Sequence, residues 1–529
     1  MTIPTKKQAM TNSSTAEGFG TISVAAILAE SARRTPDSIA LIVGEDETSY
    51  GQLWKETRAY AGALRARGIG PGDAVAVLIP NVPDFARVYY AVLALGAIVV
   101  PVHALLKARE IDYVLQDSGA KMLICAAPLL TEGAAGAASA GVDLLTVMAP
   151  DDGALPRLEA ESAAAEPIRS YEPCRPSDTA TILYTSGTTG KPKGALGTHF
   201  ALVEQTSVIL TSVMDFKPGD VLFGGLPLFH TFGQTVVLNA GLRAGATIVL
   251  MPRFNGGDAL RLLARHNVNI FLGVPTMYVA LLEAAKTDAA RPTGLRYGIS
   301  GGASLPLAVM DRFRDVFGVE IHEGYGLTET SPVAAFNHVG TQPRPGTIGT
   351  AIWGVDIEIA RAETVDSIEL LPTGELGELV VRGHLLMKGY LNRPEATEEA
   401  IVDGWFRTGD LGTKDDDGYL TIVDRKKDMI IRNGYNVYPR EVEEILLTHP
   451  EVVSAAVYGI PHDVHGQEVA AAIVLDAGGT ASEQELIEFA SAQLAAYKYP
   501  RVIRLLTELP LGPSGKILKR SLAADSAEA

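Results

Sequence analysis

Residues 181–195 read Thr-Ile-Leu-Tyr-Thr-Ser-Gly-Thr-Thr-Gly-Lys-Pro-Lys-Gly-Ala. The apolar Ile182-Leu183-Tyr184 has the texture of a buried strand. It opens into a loop, Thr185 to Gly194, with three glycines, four hydroxyl side chains and two lysines. Glycines let backbone N–H groups turn toward a phosphate, hydroxyls add donors, and lysines supply point charge. In a chain of formal net charge −17 this loop is a local exception, so it is expected to meet a polyanion. The Walker loop is excluded by spacing: Gly190-Lys191 is followed by Pro192, and the residue five before Gly190 is Thr185, not glycine. A ligand-free flexible loop is the bland alternative, and the density of Ser, Thr, Gly and Lys argues against it.

At 529 residues the chain exceeds one ordinary core, so two or more domains are expected. Its 47% hydrophobic and 20% charged composition is that of a globular protein. The acidic balance argues against general nucleic-acid binding. Two cysteines, Cys125 and Cys174, offer no metal spacing and fit a reducing, cytoplasmic setting. Residues 1–20 lack the apolar core of a signal peptide and read as a loose tail. The longest apolar run, Val88 to Val102, is interrupted by Gly96 and Pro101 and is short for a membrane span. It reads as a buried helix leading into a strand.

Strands at 74–79, 97–102 and 121–125 alternate with helices at 84–95 and 107–118. The pattern returns as strand 246–251, helix 256–266 and strand 268–272. This alternation predicts layered α/β architecture with parallel sheets. Residues 134–170, rich in Ala, Gly and Glu, read as a solvent-side excursion. From 345 to 423 short strands with Gly-Glu and Asp-Gly turns suggest a β-rich part. The charged knot 424–428, Asp-Arg-Lys-Lys-Asp, is placed as a hinge between an N-terminal domain, 21–423, and a small α+β C-terminal domain, 429–529.

Three further constellations carry chemistry. In 323–332, Glu-Gly-Tyr-Gly-Leu-Thr-Glu-Thr-Ser-Pro, a tyrosine between glycines can lie flat on a ring, Thr328 can donate to a phosphate, and Glu329 offers a hard oxygen to Mg²⁺. In 404–412, Gly-Trp-Phe-Arg-Thr-Gly-Asp-Leu-Gly, Asp410 is free to accept from a ribose diol, although a turn aspartate reads equally well. In 510–520, Pro-Leu-Gly-Pro-Ser-Gly-Lys-Ile-Leu-Lys-Arg, a Pro/Gly-rich loop holds Lys516 out from the body, against the plainer reading of a basic helix start.

Together with the loop at 185–193, these motifs make the chain resemble the adenylate-forming superfamily of acyl-CoA synthetases, nonribosomal-peptide adenylation domains and luciferases. The resemblance runs from about residue 22 to 521, with every core motif in the family's order. It implies an AMP-forming acid–thiol ligase working in two half-reactions. A carboxylate attacks the α-phosphate of Mg·ATP to give acyl-AMP and pyrophosphate, and a thiol, that of coenzyme A, then displaces AMP. Such chemistry needs charge stabilisation and the placement of two anions.

The resemblance also assigns residues. Thr185, Ser186, Gly187, Thr188, Thr189, Gly190, Lys191 and Lys193 would hold the β- and γ-phosphates. Tyr325, followed by Gly326, would stack on adenine, with Gly301, Gly302 and Ala303 along its edge. Asp410 and Arg425 would hold the ribose. Thr328 would donate to the α-phosphate, Glu329 and Thr185 would bind Mg²⁺, and Lys516 would bridge carboxylate and α-phosphate. Lys516 cannot serve the thiol step, so the C-terminal domain is expected to swing about Lys427 and bring Gly434 and Tyr435 to the coenzyme A arm. His230 matches an aromatic position near the carboxylate, although a satisfied core histidine stays open. His462 and His465 sit three apart with no third metal ligand evident.

For the acid, the stretch after His230 holds no carboxylate for an α-amino group, and Gly324 stands where malonate-type relatives place arginine. Gly233, Gly301, Gly302 and Gly324 are expected to leave the acyl pocket open, with Phe232, Val274, Met277 and Val333 as its apolar wall. That suits a medium- or long-chain fatty acid, with an aryl acid of the coumarate or benzoate kind as the alternative. A non-catalytic binder of nucleotide or acyl-adenylate is the rival from another class. Retention of Thr328, Glu329, Asp410, Arg425 and Lys516 together favours the enzyme. No integral membrane segment or nucleic-acid partner is expected. Monomer or homodimer, and contact with a membrane surface, are left open.

Overall fold

The structure, a computed structural model, describes residues 20–151, 153–185, 191–512 and 517–527. Among these residues the strands form four sheets. A six-stranded sheet runs in the order Asp143–Val147, Met122–Ala126, Ala74–Leu78, Ile98–Pro101, Thr179–Thr185, Lys193–Thr198. Its first five strands are parallel, and Ala74–Leu78 and Met122–Ala126 are buried along their whole length. Continuous apolar runs are what strands covered on both faces require. A nine-stranded sheet carries Val333–Phe336, Ile321–Gly326, Tyr297–Ser300, Ile270–Gly273, Val221–Gly224 and Thr247–Leu250 as consecutive neighbours.

Helix Pro83–Ala94 starts with proline at its first turn and is buried almost throughout. It ties the two large sheets together. The Tyr90 hydroxyl donates to Asn239 Oδ1 at 2.7 Å, and the Asn239 amide donates to the Tyr89 hydroxyl at 3.1 Å. Just before the helix, the buried Asn81 donates to the carbonyls of Gly224 and Leu226 and accepts from Leu228 N–H. These bonds fix the end of one sheet against the end of the other, which is where the functional side chains gather.

A third sheet, of five strands, is built from Val355–Ala360, Gly377–Gly383, Trp405–Lys414, Ile401–Val402 and Leu420–Arg425, in keeping with the β-rich texture of the sequence. After a turn at 426–429 a fourth sheet begins. Its strands Ile430–Arg432, Tyr435–Val437, Val452–His462, Gly466–Leu475 and Val502–Leu505 enclose a separate apolar core of Val442, Leu446, Val457, Val469, Ile473, Leu486 and Ile503.

One expectation fails. The segment 134–170 is not a solvent-side excursion: helix Leu130–Ala140 leads into Asp143–Val147, an edge strand of the six-stranded sheet, and a short helix, Leu158–Ala164, follows. The small residues are there for close packing. A Cβ on Gly133 would stand 2.6 Å from Cys125 Sγ, and one on Gly136 would stand 2.7 Å from Ile111 Cγ2. Glycine and alanine give a weak apolar stripe, so the helix leaves little periodic signal.

Candidate active site

The C-terminal ends of the large sheets, the β-rich sheet and the start of the C-terminal part enclose one cleft of about 1980 Å³. Position at the carboxyl ends of strands is the general rule for open α/β sheets.

On one flank, strand Thr179–Thr185 and strand Lys193–Thr198 pair antiparallel, Thr185 opposite Lys193. The described residues on either side of the glycine-rich run are thus the two arms of a hairpin. Thr185, Lys191, Pro192 and Lys193 border the cleft, whereas Ser186, Gly187, Thr188, Thr189 and Gly190 lie outside the described residues. The segment Lys191–Lys193 after the run is held by two tyrosines. The Tyr113 hydroxyl donates to the Pro192 carbonyl at 2.8 Å, and Lys191 Nζ stands 5.3 Å from the Tyr113 ring centre. Lys193 Nζ stands 5.1 Å from the Tyr390 ring centre. Behind them, Asp117 accepts from the Tyr184 hydroxyl and from Arg393, each at 2.9 Å.

The same Tyr390 reaches the second motif: its hydroxyl donates to Glu329 Oε1 at 2.8 Å. Glu329 lies in a short 3-10 turn, Thr328–Thr330, after strand Ile321–Gly326. The turn is anchored by Met387 N–H to the Glu329 carbonyl, and by Leu327 N–H to Thr330 Oγ1, both at 2.8 Å. A Cβ on Gly326 would overlap the Pro332 carbonyl oxygen at 1.7 Å, so glycine is required for the chain to fold back on itself here. Thr328, Glu329, Tyr325 and Gly326 all border the cleft.

On the opposite flank, Asp410 and Arg425 face one another across neighbouring strands, with Arg425 Nε 3.1 Å from Asp410 Oδ1. The Tyr325 hydroxyl donates to Asp410 Oδ2 at 2.5 Å. Burial, and then the Asp410 carboxylate, push the Tyr325 hydroxyl well above its ordinary range. Burial works against the Arg425 charge, yet Asp410 and Tyr325 hold the guanidinium above its usual value. Beneath this group, buried Arg407 and Glu378 pair at 2.7 Å, and Glu378 also accepts from Gly409 N–H at 3.0 Å, fixing the bend that presents Asp410. Lys427 borders the cleft two residues beyond Arg425; burial and the Arg425 charge lower its pKa.

The remaining expected residues divide. Phe232, Gly301, Gly302, Gly324 and Val333 border the cleft. His230, Phe232 and Gly302 also border an adjoining cavity of about 10 Å³, which Gly233 and Val274 reach and Met277 does not. Met277 is a core residue rather than pocket wall. Two glycines serve packing instead of clearing the pocket: a Cβ on Gly233 would meet the Pro227 carbonyl oxygen at 2.3 Å, and one on Gly324 would meet the Phe336 ring at 2.4 Å. Ala303 is exposed and does not border the cleft. Gly434 and Tyr435 stand at a hairpin turn away from it, with Tyr435 stacked on Tyr497 at 4.8 Å. Lys516 lies outside the described residues, whereas Leu518 borders the cleft.

The sequence reading missed Met214, Phe336, Ser300, Thr231, Tyr113, Tyr390, Glu378 and Arg407, all of which border the cleft. Of these only Tyr390 has a local cue, its place after Gly389 within the β-rich part. A third ligand for His462 and His465 also emerges, since their ring nitrogens and the Glu468 carboxylate lie within 4.8 Å of one another. Arg432 occupies both Glu468 oxygens, at 2.5 and 2.9 Å, so that carboxylate is already spent on an ion pair.

This arrangement, with Thr185, Lys191 and Lys193 on one flank of the cleft and a Tyr–Asp–Arg group on the other, and a buried glutamate bordering it, can hold a nucleoside polyphosphate. The family assignment agrees. The AMP-binding enzyme family matches residues 28–391, and the AMP-binding enzyme C-terminal domain matches residues 441–516, so the chain belongs to that family. It is an enzyme, an AMP-forming acid–thiol ligase whose substrates are ATP, a carboxylic acid and coenzyme A. A long-chain-fatty-acid–CoA ligase of Bacillus subtilis strain 168 is 34% identical, over 95% of this chain and 94% of its own. A feruloyl-CoA synthase of an Amycolatopsis species is 37% identical, over 92% and 96%. Among solved structures, ATP-bound MatB from Rhodopseudomonas palustris superposes with a TM-score of 0.87 at 32% identity, covering 95% of this chain and 99% of that one. Among the described residues no helix is long and apolar enough to cross a membrane.

Proposed function

We propose that the enzyme activates an acid with an apolar body, a medium- or long-chain fatty acid or an aryl acid, first to its adenylate and then to its coenzyme A thioester. The observation that carries this reading is the convergence of the lysine hairpin, Thr328–Glu329 and the Tyr325–Asp410–Arg425 group on one cleft that is also bordered by the apolar Met214, Phe232, Ile299, Val333 and Phe336. In this reading the hairpin holds the β- and γ-phosphates, Tyr325 covers the adenine, and Asp410 with Arg425 takes the ribose hydroxyls. Thr328 donates to the α-phosphate, and His230 stands beside the carboxylate. Lys516 neutralises charge where carboxylate and α-phosphate meet. Holding both anions in line supplies the proximity term, and the fixed donors supply the electrostatic one.

Glu329 and Thr185 present hard oxygens to the phosphate side of the cleft, a donor set that fits Mg²⁺, which prefers few protein ligands alongside water and phosphate. When bound there, the ion would neutralise triphosphate charge. Tyr390 keeps Glu329 oriented for it.

We read this arrangement of the two parts as the one for the first half-reaction. Leu518, close to Lys516 in sequence, borders the cleft while Gly434 and Tyr435 face away from it. Rotation about Lys427 would exchange them for the second. The fatty acid reading rests on the aliphatic walls, Val333, Ile299 and Met214. The aryl reading is favoured by the rings of Phe232 and Phe336. The two free, buried cysteines suit a cytoplasmic enzyme. The test is ATP- and coenzyme A-dependent AMP release with acetate, octanoate, palmitate, benzoate, 4-coumarate and malonate. A maximum at octanoate, palmitate or an aryl acid is expected. A maximum at acetate or malonate would overturn the apolar reading.

A further inference from the structure

Helix Ala108–Ser118 carries two polar side chains one turn apart on one face, Tyr113 and Asp117. Each takes hold of a different arm of the hairpin. The Tyr113 hydroxyl donates to the Pro192 carbonyl at 2.8 Å, just before Lys193 on the second arm. Asp117 Oδ2 accepts from the Tyr184 hydroxyl at 2.9 Å, one residue before Thr185 on the first arm. The other oxygen of the same carboxylate, Oδ1, accepts from Arg393 Nη2 at 2.9 Å. Burial, and then the bond to Asp117, push the Tyr184 hydroxyl above its ordinary range, so it stays a donor.

Arg393 links this carboxylate to the buried glutamate. Three residues before it, Tyr390 donates to Glu329 and faces Lys193, and Arg393 N–H donates to the Tyr390 carbonyl at 3.2 Å. The segment 388–391 runs beside the second arm: Leu196 N–H donates to the Gly389 carbonyl at 3.0 Å, while Lys388 N–H donates to the Leu196 carbonyl and Leu391 N–H to the Gly194 carbonyl, both at 2.8 Å. Thr185, Lys191, Lys193 and Glu329 thus border the cleft from segments that are tied together at Asp117, which does not itself border it. A carboxylate suits such a junction, because both of its oxygens accept; asparagine would turn a donor toward one of the two donors. The Asp117 side chain is 11% exposed, so water has little access to replace either bond.

We infer that Asp117 is a positioning residue for the adenylation step: by joining Tyr184 to Arg393 it holds the hairpin arms and the support of Glu329 at the spacing a triphosphate needs. This rests on the reading above in which the hairpin holds the β- and γ-phosphates. Asp117 acts through its partners and touches no reacting atom. Its influence is confined to the half-reaction that uses the triphosphate, since the thiol step starts from acyl-AMP. Misplacement of a reacting group by about 1 Å can cost roughly 100-fold in rate, so a loosened clasp is enough to be seen.

The experiment compares the wild type with Asp117→Ala, Asp117→Asn and, as the reference for the hairpin, Lys193→Ala, using the acid that the wild type uses best. Two assays separate the half-reactions: ATP–pyrophosphate exchange, and acyl-CoA formation from supplied acyl-AMP and coenzyme A. In Asp117→Ala, kcat/KM for ATP in the exchange is expected to fall at least about tenfold, and in Asp117→Asn, which keeps the shape and one acceptor, by less. Acyl-CoA formation is expected to stay within about twofold of the wild type, because the fixed triphosphate geometry is not used there. Melting temperature is the fold control, and should Asp117→Ala fail to fold, Asp117→Asn decides alone. Unchanged exchange in every folded Asp117 variant, or matched losses in the two assays, overturns the inference. If Lys193→Ala lowers the exchange and the Asp117 variants do not, only the inference falls. If Lys193→Ala leaves kcat/KM for ATP unchanged, the hairpin does not hold the phosphates, and the inference falls with that reading. Silence of the wild type with every acid refutes the ligase reading and this inference together.

Discussion

Tyr390→Phe isolates one bond on which the phosphate side of the cleft depends. Its hydroxyl donates to Glu329 Oε1 at 2.8 Å, while its ring faces Lys193 Nζ at 5.1 Å. Phenylalanine keeps the ring and loses the donor. A hydrogen bond to a charged group contributes about 1.5–3 kcal/mol. At about 1.4 kcal/mol per factor of ten, kcat/KM for ATP in the adenylation step should fall roughly 10- to 100-fold. Glu329 is 8% exposed, so water has little access to replace the lost donor. Tyr390→Leu also removes the ring from Lys193, a further ~0.5–1 kcal/mol, or roughly two- to fivefold. Pyrophosphate release at subsaturating ATP, with melting temperature as the fold control, reads both. An unchanged kcat/KM in a folded Tyr390→Phe enzyme would refute the reasoning, since Glu329 would then need no orienting donor.

Three more outcomes are expected. Burial raises the Glu323 carboxyl from its ordinary 4.5 to about 7, with Arg440 and the Leu305 N–H acting the other way. The folded protein therefore holds a proton that the unfolded chain releases, so stability is lost as pH rises from about 4.5 to 7, by about 3 kcal/mol. Glu323→Gln should flatten that part of a melting-temperature-against-pH profile; an unaltered profile would exclude Glu323 as its source. If Gly434 lines the coenzyme A arm, a side chain there obstructs the thiol step alone: in Gly434→Ala acyl-CoA formation falls at least about tenfold while ATP–pyrophosphate exchange persists, with melting temperature as the control for strain at φ +79°. Equal loss of both would place Gly434 outside the coenzyme A path. Lys516→Ala should abolish adenylation and leave thioester formation from supplied acyl-AMP mostly intact, and parallel loss in the two assays would remove it from the first half-reaction.

Much of this was legible because the motifs are local. The strand before the glycine-rich run follows from its apolar residues, the strand Lys193–Thr198 that pairs with it does not, and the runs at 74–79 and 97–102 fold close to where their pattern put them. What pattern could not supply is contact across distance. Tyr390 meets Glu329 from 61 residues away and Tyr325 meets Asp410 from 85, and neither pairing has a periodic trace. Glycines misled in a different way. Gly233 and Gly324 look like room for substrate, yet they admit the Pro227 carbonyl and the Phe336 ring. A glycine in sequence announces a close approach without saying what approaches. The helix Leu130–Ala140 was missed for a related reason, since small residues pack tightly while scarcely registering as apolar.

Strand Leu420–Arg425 has a consequence for anyone who would exchange the C-terminal parts of such enzymes. It pairs with the strand carrying Asp410, and it also takes hold of the next domain: Arg440 Nη1 donates to the Ile422 carbonyl at 2.6 Å and Arg440 N–H to Asp424 Oδ2 at 3.1 Å. The seam marked by charge at 424–428 is therefore not the seam drawn by hydrogen bonds. A graft spliced at that charged knot would separate Arg440 from the strand it grips, whereas one that keeps strand Leu420–Arg425 and the chain through Arg440 in one block keeps the coupling intact. Hybrid enzymes joined both ways, and compared for turnover, would show which seam a functional transplant has to respect.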